Sequence, residues 1–349
     1  MIKFNPLTIE KINRFKTIKR GYYSLLTIAI LILLSLFAEI FVNSRALVVR
    51  YEGSYYFPVY GSMIPGGEFG LGYEYETSYR DLKEKFEQEG GGNFVIMPPV
   101  PYNAFETNFR EGRFPPLPPS LKDRHFLGTD KTGRDVTARL VYGFRIAIFF
   151  SLILMVINYI IGITIGCFMG YLGGKFDLFF QRIIEIWNNI PYLYAIIIIS
   201  SIVIPDFFSL LGIMVFFGWI GMTWYMRTAT YKERERDYVM AAKVTGASTI
   251  RIIFSHILPN TVSVIITFAP FAIAAGITAL TALDFLGFGM PPPTPSWGQL
   301  LSEASEYNIS APWLGISVIS ALIIVLTMVT FIGEAVRESF DPKRFISYE

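Results

Sequence analysis

Gly128 and Gly133 stand at the spacing of a phosphate-binding loop, within the stretch HFLGTDKTGRDVTARLVYGFR that begins at His125. Such a loop needs a lysine and a hydroxyl after its second glycine, to hold phosphate and magnesium. Arg134 and Asp135 stand there instead. Asp130, Lys131, Thr132 and Gly133 follow the order around a phosphoryl-accepting aspartate, but Arg134 replaces the threonine that would close it. No nucleotide-binding domain follows, so the stretch reads as an amphipathic lead-in to an apolar run. Other reactive groups are sparse. The two histidines, His125 and His256, lie far apart, and Cys167 is the sole cysteine, inside an apolar run. A paired-histidine metal site, a thiolate site and a disulfide framework are therefore not expected within the chain. Asp284 is a carboxylate at the end of an apolar run, a functional position by default in lipid; simple exposure at the interface is the alternative. No nucleophile, base and orienter fall together in the apolar runs, which sets aside a membrane-embedded enzyme.

The elements that must position these residues are membrane spans. Of 349 residues, 52% are hydrophobic and 17% charged, outside the range of soluble domains. A net charge of +2 leaves nucleic-acid binding without an electrostatic basis. Runs of roughly 20 apolar residues, the length that crosses a bilayer, number about six. They lie near 22–42, 144–168, 186–204, 207–226, 261–283 and 313–333, and lipid makes them helical. The N-terminus has basic residues before its first run, as a signal peptide has, but that run is of full spanning length and no small-residue cleavage pattern follows; it is expected to be a retained anchor.

Lys and Arg in the short flanks set the orientation. Lys3, Lys11, Arg14 and Lys16 precede the first span; Arg227, Lys232, Arg234 and Arg236 follow the fourth; Arg337, Lys343 and Arg344 close the chain. The turn around Pro205 and the stretch 287–312 carry none. Both termini are thus expected to be cytoplasmic. Arg134, Arg139 and Arg145 run against the rule, but they belong to a segment of about a hundred residues, where it is weak. That segment is rich in Tyr, Gly and Pro, with a helix predicted over 79–88 and ended by Gly90. It reads either as a solvated insertion or as a cap on the outer mouth that meets a delivery protein.

Gly162, Gly166 and Gly170 repeat at intervals of four, a spacing for close helix contact in lipid. Between Tyr171 and Gln181 an inner turn is expected, and Pro191 predicts a kink early in the third span. The fifth span is rich in Ala and Thr, with Thr267, Ala274 and Thr278 around Pro270, and reads either as pathway lining, together with Asp284, or as tight packing. The segment 237–260, DYVMAAKVTGASTIRIIFSHILPN, does not span. Its small residues and Gly246 predict two short helices with a corner at the glycine. By shape alone it is either an amphipathic linker or a docking element.

Met240, Ala241, Ala242, Gly246, Leu258 and Pro259 resemble, position by position, the cytoplasmic Glu-Ala-Ala loop of importer-type ABC transporter permeases. Further stretches are similar to the dipeptide, oligopeptide and nickel branch of that family: LGTDKTGRDV, GWIGMTWYMR, HILPN, LDFLGFGMPPPTPSWGQLL, APWLG and GEAVRESFDPK. The wording TALDFLGFG and FIGEAVRESFDP, with the long Pro-rich insertion, is most similar to the oligopeptide and microcin C uptake permease. Two positions depart from the usual pattern: Met240 replaces Glu, and His256 replaces isoleucine.

The resemblance implies an all-α polytopic fold. It divides into a cytoplasmic tail (1–21), a first transmembrane helix (22–42), an extracytoplasmic insertion (43–143), a permease core with helices two to six (144–333) and a second cytoplasmic tail (334–349). The coupling loop, 231–260, includes Ala247 and His256. It further implies a bacterial inner-membrane location and a set of partners: a second homologous permease, two cytoplasmic ATPases or one fused ATPase, and an extracytoplasmic peptide-binding protein. ATP and magnesium belong to the ATPases, and this chain itself needs no cofactor. The same machinery carrying nickel or another small solute is the first alternative; a secondary transporter, with inverted repeats and intramembrane charge pairs, is the second.

Overall fold

The structure, a computed structural model, describes residues 6–109 and 114–340. Lys3, Lys343, Arg344 and the end of the GEAVRESFDPK stretch lie outside the described residues, as does much of the second tail. Helix α1 (Pro6–Thr17) leads into α2 (Lys19–Leu36), the first apolar helix, which stops at Phe37 before a short α3 (Ala38–Phe41). The expected first span ran on to Val42; the structure instead places Val42 in a bridge with Val100.

The insertion holds a small sheet that its Tyr-, Gly- and Pro-rich sequence did not announce. Strand β1 (Val48–Tyr51) lies between β2 (Ser54–Tyr56) and β3 (Phe94–Ile96), antiparallel to both. Helix α4 (Tyr79–Glu89) follows the predicted helix and ends at Gly90. Val49, Phe69, Tyr79, Leu82, Phe86 and Val95 make its core, separate from that of the spans.

The long helix α5 (Val136–Leu172) starts ahead of its apolar run, because Asp135 caps it by accepting from the Ala138 amide at 2.7 Å. After α5 a single residue, Gly173, separates it from the next helix. Gly173 (φ 63°) and Gly174 (φ 53°) reverse the chain in a conformation costly for any residue with a Cβ. Helix α6 (Gly174–Asn188) then occupies most of what was expected to be turn. The third span is not one helix with a kink. Helices α6 and α7 (Tyr192–Ile202) meet at 72°. Pro191 lacks the donor a continuous helix needs and disfavours helical backbone at Ile190.

The fourth span is likewise interrupted. Helices α8 (Phe207–Gly218) and α9 (Ile220–Glu233) are joined at Trp219. Helix α10 (Asp237–Val244) and a single turn, α11 (Thr249–Arg251), follow; a π-helical stretch, Ile252–Ile257, then runs without a break into α12 (Leu258–Phe285). Helices α13 (Trp297–Glu306) and α14 (Pro312–Phe340) complete the fold. Among the described residues five helical stretches are long and apolar enough to cross a membrane, or six when the bent α6–α7 pair counts as one.

The glycine stripe fixes how these helices meet. A Cβ on Gly162 would stand 2.7 Å from the Trp219 carbonyl oxygen, on Gly166 2.5 Å from that of Thr223, and on Gly170 2.5 Å from that of Arg227. Helices α5 and α9 therefore touch backbone to backbone, the close packing that lipid-embedded helices need for dispersion to hold them. We expect Gly166→Ala to cost about 1–3 kcal/mol, since a backbone carbonyl cannot step aside. Gly212→Ala, with nothing within 4 Å of its added methyl, is expected to be neutral or slightly stabilising. Thermal unfolding of the two purified variants in detergent reads the difference.

Candidate functional site

At one end of the bundle, where α5 stops and α9 emerges, residues 237–260 form a knob. Gly246, at φ 81°, makes the corner between α10 and α11. Ser248 caps the second arm, its hydroxyl accepting from the Arg251 amide at 3.4 Å. That arm is not a separate short helix: through the π-helical stretch it becomes the fifth span. The inner face of the knob is apolar. Val239, Ala242, Ile252 and Ile257 are buried together against Tyr171, with Ala247 beside them. Ile253 is buried with Cys167, Met222 and Met226, and Leu258 packs on the same cluster. The outer face is mixed, with Lys243 and Arg251 exposed among large apolar side chains. Met240 is 51%, Ile250 64% and Val244 87% exposed. Ala241 faces outward beside Met240, His256 is half-buried, and Pro259 is exposed in the first turn of α12. Behind the outer face the Tyr238 hydroxyl donates to Glu233 at 2.8 Å. Partial burial and that carboxylate push the phenol up to about 12, so it stays neutral.

Between α5, α6, α7, α8, α9 and α12 lies a cavity of about 670 Å³. Its wall from the fifth span consists of Phe268, Phe271, Ala272, Ala275, Gly276 and Ala279. The polar positions expected there lie elsewhere. The Thr267 and Thr278 hydroxyls donate back to their own helix, to the carbonyls of Ser263 and Ala274. Pro270 is buried, and Ala274 packs on the main apolar core. Asp284 is buried beyond the cavity, where its carboxylate accepts from the Met290 amide and the Ser296 hydroxyl and so clasps the turn between α12 and α13. Sequence reasoning did not find the cavity's other walls, Asn158, Tyr159, Trp187 and Tyr192. A polar Asn158 inside an apolar run was the available signal.

The opposite end of the bundle carries the charges that resisted the orientation rule. Arg139, fully buried, reaches Asp130 at 2.5 Å and Glu303 at 3.1 Å, and donates to the Gln299 side chain at 3.0 Å. Arg134 reaches Asp130 at 2.7 Å and Glu303 at 3.4 Å. His125 is buried against Asp135 at 2.7 Å, under the Tyr102 ring. Asp130 is thus enclosed by two guanidinium groups and is no phosphoryl acceptor. Arg145 leaves this cluster to pair with Glu39 at 2.7 Å. Burial works against the charge on Asp130, but Arg139 and Arg134 hold its carboxyl below its ordinary value. Among the described residues no three His, Cys, Asp or Glu side chains gather in a metal site.

The buried cluster yields a test. A lowered folded-state value means that Asp130 stabilises the fold above the ordinary carboxylate pKa of about 3.9 and loses that contribution as pH falls through the folded value. Asp130→Asn leaves Arg139 buried beside one carboxylate instead of two, and we expect it to cost about 3–5 kcal/mol at neutral pH. The gap between variant and parent narrows once acid has protonated Asp130 in the parent. Thermal unfolding at a series of pH values measures both.

Comparison with known proteins places this architecture. Residues 162–345 match the family described as the binding-protein-dependent transport system inner membrane component. The Escherichia coli inner membrane ABC transporter permease protein YejE is 40% identical over 348 residues, covering 99% of this chain and all of that protein. The Agrobacterium fabrum peptidoglycan transport system permease protein YejE is 38% identical, covering 98% of this chain and 94% of its own length. The oligopeptide transport system permease protein OppC of Lactococcus lactis is 37% identical, over 64% of this chain and 77% of its own. The chain belongs to the family of inner membrane components of binding-protein-dependent transport systems.

Proposed function

We propose that this chain is a membrane subunit of an ATP-driven peptide importer, and that the knob at 237–260 receives the movement of a cytoplasmic ATPase. The observation that carries the reading is the two-sided knob. One face, apolar, is packed onto the ends of α5 and α9; the other exposes large apolar side chains among charged ones, with nothing against them among the described residues. A solvated linker has no reason to hold Met240, Val244 and Ile250 outward; an interface does. Because the second arm continues into α12, a push on the knob reaches the wall of the cavity through helices that move as rigid units. Met240 occupies the position where the family usually has a glutamate, so contact here rests on shape and apolar burial.

The orientation follows from this assignment. The knob end and both termini face the cytoplasm, and residues 43–143 lie on the outer side, where the α4 subdomain meets the delivery protein. A second permease completes the pathway, and the ATPases bind ATP and magnesium. The path runs along the Ala272, Ala275 and Ala279 face of the fifth span. Peptide is favoured as cargo by the names of the relatives, and over a transition metal by a cavity lining that offers no carboxylate, imidazole or thiolate.

The test uses Val244→Asp and Ile250→Asp in a reconstituted importer with its ATPase and binding protein. Both side chains are exposed, so the fold is kept. Burying one apolar side chain at an interface is worth about 1.5–3 kcal/mol, so peptide uptake and peptide-stimulated ATP hydrolysis are expected to fall together by roughly 10- to 100-fold. Uptake at the parent's rate in both variants would remove the coupling role.

A further inference from the structure

The cavity has a chemistry of its own. Asn158, Gly162, Gly166 and Gly170 lie at intervals of four on α5, one row on one face of the helix. Three of them press on α9; at the fourth the glycine gives way to asparagine and the partner helix breaks. Gly218 stands opposite, and a Cβ there would collide with the Asn158 amide. The contact continues here through the asparagine side chain instead of backbone to backbone, and both residues line the cavity.

The helix break is satisfied without Asn158. Freed at the α8–α9 break, the Phe216 carbonyl accepts from the indoles of Trp187 at 3.1 Å and Trp219 at 3.0 Å. Asn158, only 9% exposed, keeps a buried side-chain oxygen with no hydrogen-bond partner, and the neighbouring Tyr159 hydroxyl has none either. Both residues line the cavity. A buried acceptor left unmade is costly unless something fills the role. Around these groups stand Trp187, Tyr192, Phe217 and Tyr225, and no Asp, Glu, Lys, Arg or His contributes to the lining. At about 670 Å³ the space is of the size that encloses a small ligand.

We propose that this cavity is a substrate site: it takes an uncharged, preferably aromatic, side chain of the translocating peptide, with Asn158 and Tyr159 bonding its polar groups. It rests on the peptide reading above and adds that this chain selects among peptides after delivery. A charged side chain would leave water for a place without a counter-charge, which disfavours it. Small residues on the α12 side, Ala275 and Ala279, set the depth of the site, and aromatic rings on the α7 and α8 sides supply flat walls for stacking.

The experiment measures uptake by the complete reconstituted importer of tripeptides Ala-X-Ala, with X as Ala, Phe, Tyr, Leu, Glu or Lys. The binding protein's affinity for each is determined separately, so that selection after delivery is isolated. The parent is expected to carry the Phe and Tyr peptides at least about tenfold faster, per bound peptide, than the Glu and Lys peptides. Asn158→Leu is expected to lower Tyr-peptide uptake by about tenfold, the worth of one hydrogen bond, and to spare the Leu peptide. Asn158→Asp is expected to move the preference toward Lys. Ala275→Phe, at an exposed position where the fold tolerates bulk, is expected to exclude Phe and Tyr peptides while passing a peptide with X as Ala.

Unchanged ratios among peptides in all three variants would overturn the proposal and give the cavity to lipid or to the neighbouring permease. An equal fall for every peptide would overturn it as well, by marking a structural role. Failure of the parent to carry any peptide would instead defeat the peptide reading itself.

Discussion

The structure depends on the backbone contact between α5 and α9. Lipid provides no hydrophobic drive to join two apolar helices, so they hold together only where small residues let them interpenetrate. Gly162, Gly166 and Gly170 do this against the carbonyls of Trp219, Thr223 and Arg227. At one end of the contact, Tyr171 and the Met222–Met226 side of α9 form the seat of the knob. At the other, the Asn158 side chain stands between α5 and Gly218 of α8, and the cavity lies beside this contact. Knob and cavity are thus two ends of one rigid pair of helices.

That arrangement suits the coupling role we propose for the knob. Force applied at Met240 and Val244 has little soft structure to dissipate in, because the inner face of the knob is buried and its second arm is the start of α12. The π-helical stretch between them is the place where the hydrogen-bond ladder is least regular, a feature often found at functional positions. At the far end the α5 terminus is clamped by Asp130, Arg139 and Glu303, which joins the start of the second span to α13 before the last one. The proposed coupling motion is a rearrangement of this unit as a rigid body, at the mouth of the cavity.

What could be read from the sequence, and what could not, divides by range. The apolar runs, the glycine stripe, the helix at 79–88 and the corner at Gly246 are local patterns, and each is present in the structure. The polarity of the knob's second arm suggests a short helix and hides its continuity with the fifth span. Pro191 announces a break between α6 and α7 but not its angle of 72°. Asp284 drew attention as a carboxylate near the membrane, yet its partners, Met290 and Ser296, belong to a turn whose closure no periodicity reveals. The Arg139–Glu303 pair joins residues far apart in sequence, and the small sheet of the insertion rests on short strands among many aromatic residues. The family resemblance conveyed the fold; it did not convey Asn158, which depends on what faces it.

The central claim, that nucleotide at a partner subunit reorganises the path beside the fifth span, is tested most directly by thiol accessibility. Ala275→Cys in a Cys167→Ser background places one reactive thiol in the wall of the cavity. Membrane-impermeant reagents are then applied from each side of vesicles containing the whole importer, with and without trapped ATP. The account predicts that the side from which Ala275→Cys reacts switches when ATP is trapped. Reaction from the same side, at the same rate, in both states would contradict it.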